Sequence, residues 1–309
     1  MFCATHAMLR MKGPSWLFLL AAIACHTSHG AEEVYEIAKD VYAFFPGGDY
    51  HSMFIVTTEG VIAIEPVSTD HSTKMLAAIK KITNETVKYM IYSHNHLDHS
   101  SGGQVFKDAG AEILAHKECD VWIKYNKGAD QIRPTKTWDG SNYTITMGGF
   151  TLQLHYFGMN HGRGMTVFLL PDQKVAYIAD LVVPNRVFFT IVPDYNIKQW
   201  MRTLEILLKL DFDRAIYAHN MKPNAIEGGN KTDVQLTLDY INDIRNGIFA
   251  ALKRGENAFL IPKTLKLPKY EKWHFYKQWL TMNIWRIFLD EWMGPYPWRP
   301  SNERPGTTN

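Results

Sequence analysis

The chain has 309 residues, 46% of them hydrophobic and 21% charged, with a formal net charge of +2. That length and apolar share allow a sizeable core, in one large domain or two small ones. A near-neutral balance with no basic run gives no electrostatic footprint for nucleic acid, which is therefore not expected as a partner.

The first thirty residues differ from the rest. Arg10 and Lys12 precede the apolar run 16–25, and Ser28-His29-Gly30 follows. A basic flank, a short apolar core and a small-residue end predict a secretory signal peptide over residues 1–30, cleaved after Gly30. The apolar core is too short for a comfortable membrane span. The mature chain is expected to be secreted or in the secretory lumen, or periplasmic in a bacterium. Cleavage removes two basic residues and no acidic one, which brings the formal charge to zero. Cys3 and Cys25 leave with the signal, so Cys119 cannot form an internal disulfide and is expected as a buried thiol at a helix start. The sequons at Asn84, Asn142 and Asn230 fall in predicted loops, where glycans can be carried.

Four short strands are predicted at 34–37, 41–45, 52–57 and 61–65, and a helix capped by Asp70 runs to about Ile82. The apolar run 87–92 reads as a buried strand, 102–109 as a short helix and 112–115 as a strand. Residues 126–142 lack periodicity and predict a long loop. The pattern then repeats, with strands at 143–147, 151–157, 165–170, 175–179 and 214–218 and helices at 196–210 and 232–253. Two sheets packed face to face with helices outside would satisfy this order. An aromatic-rich segment, 270–298, contains a predicted amphipathic helix through Trp279, Met282, Trp285, Arg286 and Leu289. The expected organisation is a main domain over 31–260, a helical extension packed on it over 261–298, and a disordered polar tail over 299–309.

The loop after the strand 87–92 reads Ser93-His94-Asn95-His96-Leu97-Asp98-His99. Neutral imidazole nitrogens and carboxylate oxygens suit zinc, and so many ionisable groups beside an apolar strand would be costly without a partner. One such loop can serve two metals about 3.5–4 Å apart, as in two-metal hydrolytic sites. His161, Asp180 and His219 each stand just past an apolar strand, at a sheet rim.

The pattern His-x-His-x-Asp-His followed by Ser100-Ser101-Gly102-Gly103 resembles the signature of the metallo-β-lactamase superfamily, and the likeness runs from about Val34 to His219. The resemblance implies an α/β fold of the αββα four-layer sandwich type, with two Zn²⁺ per chain. By it His94, His96 and His161 would hold the first zinc, Asp98, His99 and His219 the second, and Asp180 would bridge them. A zinc-held hydroxide, oriented by Asp98 as the catalytic residue, would attack the carbonyl of a β-lactam, lactone, ester or thioester. Two departures stand out: Ser101 occupies a position where the family often has Gly, and Ala218 precedes the last histidine in place of Gly. Asp180, where the lactamases proper usually carry Cys or Ser, looks more like lactonases and thioesterases. His51 and the residues Phe188, Phe189 and Tyr195 are expected to line the substrate pocket. The aromatic C-terminal region would favour an apolar carbonyl substrate, or serve a homodimer contact. The rival readings are a mononuclear-iron oxidoreductase resembling the sulfur dioxygenases, and a non-catalytic metal-binding protein on the same fold.

Overall fold

Strands that are apolar at every position bury both faces, and this property builds the centre of the molecule. The computed structural model describes residues 33–125 and 130–294. The expected signal peptide, the start of the long loop at 126–129, and the polar tail lie outside the described residues.

A seven-stranded sheet runs in sequence order: β1 (Val34–Ala38), β2 (Val41–Phe44), β3 (Ser52–Thr57), β4 (Gly60–Ile64), β5 (Val87–Ile91), β6 (Glu112–His116) and β7 (Lys136–Trp138). The first four strands are antiparallel, and β4 to β7 are parallel. The parallel steps are crossed by α1 (Thr69–Ile82), by α2 (Leu97–Ser100) with α3 (Gly103–Asp108), and by α4 (Lys117–Tyr125). In β3, Met53 and Ile55 face the second sheet while Phe54 faces the helices; in β4, Ile62 and Ile64 alternate with Val61 and Ala63 in the same way. Met75 and Ile79 of α1, Phe106 of α3 and Cys119 of α4 complete the outer cluster.

The second sheet has the order β12-β11-β10-β9-β8, from β8 (Asn142–Met147), β9 (Phe150–Tyr156), β10 (Thr166–Leu170), β11 (Val175–Tyr177) and β12 (Arg214–Ile216). Only β11 and β12 are parallel, and α5 (Ile197–Lys209) connects them. α6 (Lys231–Lys253), α7 (Ile261–Thr264) and α8 (Tyr276–Met293) follow, with Trp200, Leu204, Val234, Ile241, Ile284 and Ile287 joining the larger core. Two sheets with helices on both outer faces make the four-layer αββα sandwich. No helix among the described residues is long and apolar enough to cross a membrane.

Several local expectations are corrected. Ser68, not Asp70, caps α1: its backbone is extended and its hydroxyl accepts from His71 N at 3.2 Å. The stretch 126–142 is not all loop, because β7 adds a three-residue edge to β6; only Trp138 of it is buried, too little for a periodic signal. One of the three sequon asparagines is not in a loop: Asn142 opens β8, whereas Asn230 ends the loop before α6, where its side chain caps the helix within a capping box with Asp233. The strands expected over 175–179 and 214–218 leave their ladder at Tyr177 and Ile216, two residues early, because the chain there turns toward the rim; Ala179 takes φ +50°.

Candidate metal centre

Parallel strands bring their carboxyl ends to one rim, and loops leaving that rim are where open α/β folds place their ligands. Glu65 follows β4, His94 follows β5, Asp180 follows β11 and His219 follows β12. The loop between β9 and β10 adds His161. The two sheets are tied beside this rim by Thr166 N donating to Ser93 O at 2.8 Å and His51 N donating to Ala218 O at 2.8 Å. Gly162, at φ +66°, lets the backbone pass between rings; a Cβ there would sit 3.1 Å from His94, His96 and Asn95 atoms.

The side chains gather into two triads. One ligand atom from each of His94, His96 and His161 lies within 4.8 Å of the others, and the same holds for Asp98, His99 and His219. Asp180 Oδ2 spans both, at 3.4 Å from His161 Nε2, 3.3 Å from His99 Nε2 and 3.5 Å from His219 Nε2. Most of the rings are held from behind. Ser93 Oγ is hydrogen-bonded to His94 Nδ1 at 2.8 Å, which braces the loop. His96 Nε2–H donates to Asp194 Oδ2 at 2.7 Å, His219 Nδ1–H donates to Asp49 O at 3.1 Å, and His99 Nδ1–H donates to Glu65 Oε1. Fixing one imidazole nitrogen on a carboxylate or carbonyl leaves the other presented to a metal. Glu65 also falls within a third cluster with His94 and His99. Its Oε1 is engaged on the outer nitrogen of His99, so it orients that ring.

The donor set fits a cation. His94 Nε2, His99 Nε2 and Asp180 Oδ1 are buried without a hydrogen-bond partner among the described residues, a costly state for polar atoms unless something coordinates them. Burial holds His94 well below the usual imidazole range and lowers His161 and His219 to about 4, so all three are neutral and ready to donate a lone pair. Burial pushes His96 and His99 the same way, but the Asp194 carboxylate outweighs it for His96, and Asp180, Asp98 and Glu65 outweigh it for His99. A proton on His99 Nε2 thus stands where the Asp98 and Asp180 carboxylates call for positive charge, the position a metal ion would take. Burial works to raise Asp98, yet His99 beside it holds the carboxyl below the usual range.

The sequence profile described as the metallo-β-lactamase superfamily matches residues 46–219, which contain every residue of both triads and Asp180. The chain belongs to the metallo-β-lactamase superfamily. Within the superfamily it is 30% identical over 174 residues to the 2,4-dinitroanisole O-demethylase subunit alpha of Nocardioides sp. (strain JS1661), covering 56% of this chain and 53% of that protein. It is 27% identical over 179 residues to the metallo-beta-lactamase type 2 of Elizabethkingia meningoseptica, covering 53% of this chain and 70% of that protein. The chain thus spans about half the length of the first of these relatives and more than two thirds of the second. In fold it is similar to a metallo-beta-lactamase from Pontibacter korlensis, with TM-score 0.58, 20% identity and coverage of 67% of this chain and 97% of the other. It is also similar to the stereoselective inverting sec-alkylsulfatase Pisa1 from Pseudomonas sp., with TM-score 0.67, 16% identity and coverage of 88% and 52%.

In this superfamily member a cleft of 520 Å³ opens over the two triads, lined by Tyr50, His96, Asp98, Asp180, Arg186, Phe189, Asp194, Tyr195, His219, Phe275 and Trp279 among others. Phe189 and Tyr195 line it as expected from the sequence. Tyr195 Oη is hydrogen-bonded to His161 Nε2 at 2.8 Å, and Phe189 is 56% exposed. His51 and Phe188 do not line it. His51, just before β3, is buried and stacks on Phe45, ring centroids 4.2 Å apart, so its side chain packs inward and not into the cleft. Phe188 is buried against Trp200 and Tyr240, one residue out of phase with Phe189. Ser101 does not disturb the turn after the motif, since Gly102 takes the left-handed conformation there, at φ +80°. Sequence reasoning missed Tyr50, Glu65, Arg186 and Asp194. Tyr50 donates to Asp98 Oδ2 at 2.8 Å. A signal existed for Glu65, an acid ending an otherwise apolar strand; Asp194 and Arg186 sit in a loop without periodicity and carried none.

Proposed function

We propose that the protein is a secreted dizinc hydrolase whose substrate is a small molecule with a carbonyl or similarly electrophilic centre. The observation that carries this reading is the pair of ligand triads joined by one oxygen of Asp180. His94, His96 and His161 would hold one ion, Asp98, His99 and His219 the other, with Asp180 between them. Nitrogen and oxygen donors without thiolate are compatible with zinc. Bound zinc acidifies water toward neutral pH and polarises a substrate oxygen. The chain's own groups do the rest. Asp98 is half exposed to the cleft and held by Tyr50, so its carboxylate is placed to orient a water and accept its proton. Asp194 and Glu65 fix the rings of His96 and His99. Phe189, Phe275 and Trp279 give the cleft an aromatic wall that keeps bulk water out and suits an apolar arm of the substrate.

The test is turnover by the zinc-loaded chain of a panel: a chromogenic cephalosporin, a lactone, a thioester, a phosphodiester and an aryl methyl ether. The ether is included because one relative is named a 2,4-dinitroanisole O-demethylase. Turnover that disappears on chelation and returns with zinc supports the reading. A zinc-loaded chain that turns over none of the five contradicts it. Secretion rests on the N-terminal stretch, and sequencing the N-terminus of protein exported by cells tests it: a start after Gly30 supports export with cleavage, and retention inside the cell overturns it.

A further inference from the structure

The outer helices end in an apolar patch that the fold leaves uncovered. Among the described residues twelve large apolar side chains are exposed. Six of them, Phe249, Leu252, Phe259, Leu260, Trp292 and Met293, belong to the last turns of α6 and α8 and to the loop before α7. α6 and α8 lie side by side and run the same way: the Tyr240 hydroxyl donates to Asn283 Oδ1 at 2.9 Å and, further along both helices, Arg245 pairs with Glu291 at 2.6 Å. Both helices therefore finish at one side. The loop before α7 lies there too, with the Phe259 and Trp292 ring centroids 6.0 Å apart. Phe259 is 58% exposed, Trp292 61% and Met293 73%. Exposed apolar side chains scattered singly are ordinary, but a cluster of them marks a surface that meets something. The patch is separate from the cleft: Trp279, which lines the cleft, stands thirteen residues before Trp292 on α8, about 20 Å along the helix axis.

The charge around the patch has one sign. Residues 249–277 contain seven Lys and Arg against two acids, in a chain whose total is +2. The acids at this end are already engaged: Glu256 pairs with Arg254 at 2.6 Å, Glu291 with Arg245, and the buried Asp290 with Arg286 at 3.4 Å. Lys253, Lys263 and Lys266 are exposed, and among the described residues none of them has a carboxylate oxygen within 4.0 Å. We propose that this end of the helical layer docks on the surface of an anionic phospholipid bilayer. Phe259, Leu260, Trp292 and Met293 enter the headgroup region, and the three lysines meet lipid phosphates. Aromatic side chains suit that boundary, where one side is apolar and the other wet. A second copy of the chain fits the patch less well, because a two-fold contact through it would set the same lysines against one another.

The experiment is flotation of the full chain with two kinds of vesicle, phosphatidylcholine alone and phosphatidylcholine mixed with phosphatidylglycerol. Wild type is expected to float with the mixed vesicles, to bind pure phosphatidylcholine about tenfold or more weakly, and to be released from the mixed vesicles by high salt. Phe259→Ser combined with Trp292→Ser should weaken binding to the mixed vesicles by about tenfold or more. Lys253→Gln combined with Lys263→Gln should weaken it by about fivefold per lysine and leave binding to phosphatidylcholine unchanged. All four side chains are exposed, so thermal unfolding and zinc content should match wild type in both variants. A wild type that stays in the vesicle-free fraction overturns the proposal, as does equal flotation by the aromatic variant. Dimerisation in sedimentation velocity that the aromatic variant abolishes, without flotation of wild type, would assign the patch to a second copy and overturn it as well.

Discussion

Replacing Asn283 by Ala should unfasten the loop that carries Asp194 and Tyr195, although Asn283 lies on α8 outside the cleft. Asn283 is fully buried and uses its whole amide. Its Oδ1 accepts from Phe188 N at 3.0 Å and from the Tyr240 hydroxyl at 2.9 Å, and its Nδ2 donates to Phe188 O at 3.1 Å and Thr190 O at 2.7 Å. One turn along, Arg286 donates to Val192 O at 3.2 Å and to Tyr195 O. The loop needs holding, because Thr190 and Val192 sit at φ +45° and +39°, where a β-branched residue is strained by roughly 1–3 kcal/mol. Deleting the amide leaves three buried polar groups and the half-buried Thr190 carbonyl without this partner, at about 1 kcal/mol each, so the loss of stability should be about 3–4 kcal/mol. For a chain of this size that lowers the melting temperature by about 10 °C. Thermal and urea unfolding followed by circular dichroism give the stability, and chelator competition gives zinc retention, which should also weaken as Asp194 releases His96. A stability loss under about 1 kcal/mol with unchanged zinc retention would show that α8 does not clamp the loop.

Three further outcomes follow from the same contacts. Asp98→Ala should abolish hydrolysis while the fold persists, and a variant with full zinc and full activity would remove Asp98 from its role. Asp194→Ala should weaken zinc binding by about tenfold to a hundredfold by freeing the outer nitrogen of His96; unchanged affinity in a zinc titration would make that hydrogen bond incidental. His71 is buried, bonded to Ser52 Oγ at 2.7 Å, and burial beside His51 lowers it to about 4, with Asp70 and Lys74 as its other charged neighbours. The unfolded chain protonates first, at its ordinary value of 6.5, so the stabilisation is full above that pH and is lost as pH falls toward 4. The shift corresponds to roughly 3 kcal/mol. His71→Gln should therefore flatten the pH dependence of zinc-free stability between pH 7 and 4, and an unaltered slope would contradict the assignment.

The sequence carried the sandwich because its strands bury both faces: runs such as 61–64 and 167–170 are apolar throughout, and turns such as those at Gly148-Gly149 and Pro171 are marked by Gly and Pro. The ligand set was legible for a related reason. His94, His96, Asp98 and His99 crowd one loop, and His161, Asp180 and His219 each stand just past an apolar strand. What was not legible depends on contacts distant along the chain. Asp194 meets His96 across 98 residues, and Asn283 meets Phe188 across 95. Phe188 and Phe189 are adjacent and chemically alike, yet one is core and the other cleft, a difference set by the strained backbone of their loop and not by composition. His51 misled for the opposite reason: its polar type at an early turn suggested a pocket residue, but the ring packs against Phe45.

The central claim, that two triads joined by Asp180 make a dizinc centre, is tested most directly by elemental analysis of the purified chain after exposure to equimolar zinc and iron and removal of loose metal. Two zinc ions per chain are expected, falling to one or fewer when Asp180 is replaced by Ala. A single iron, or no metal retained by the folded wild type, would contradict it.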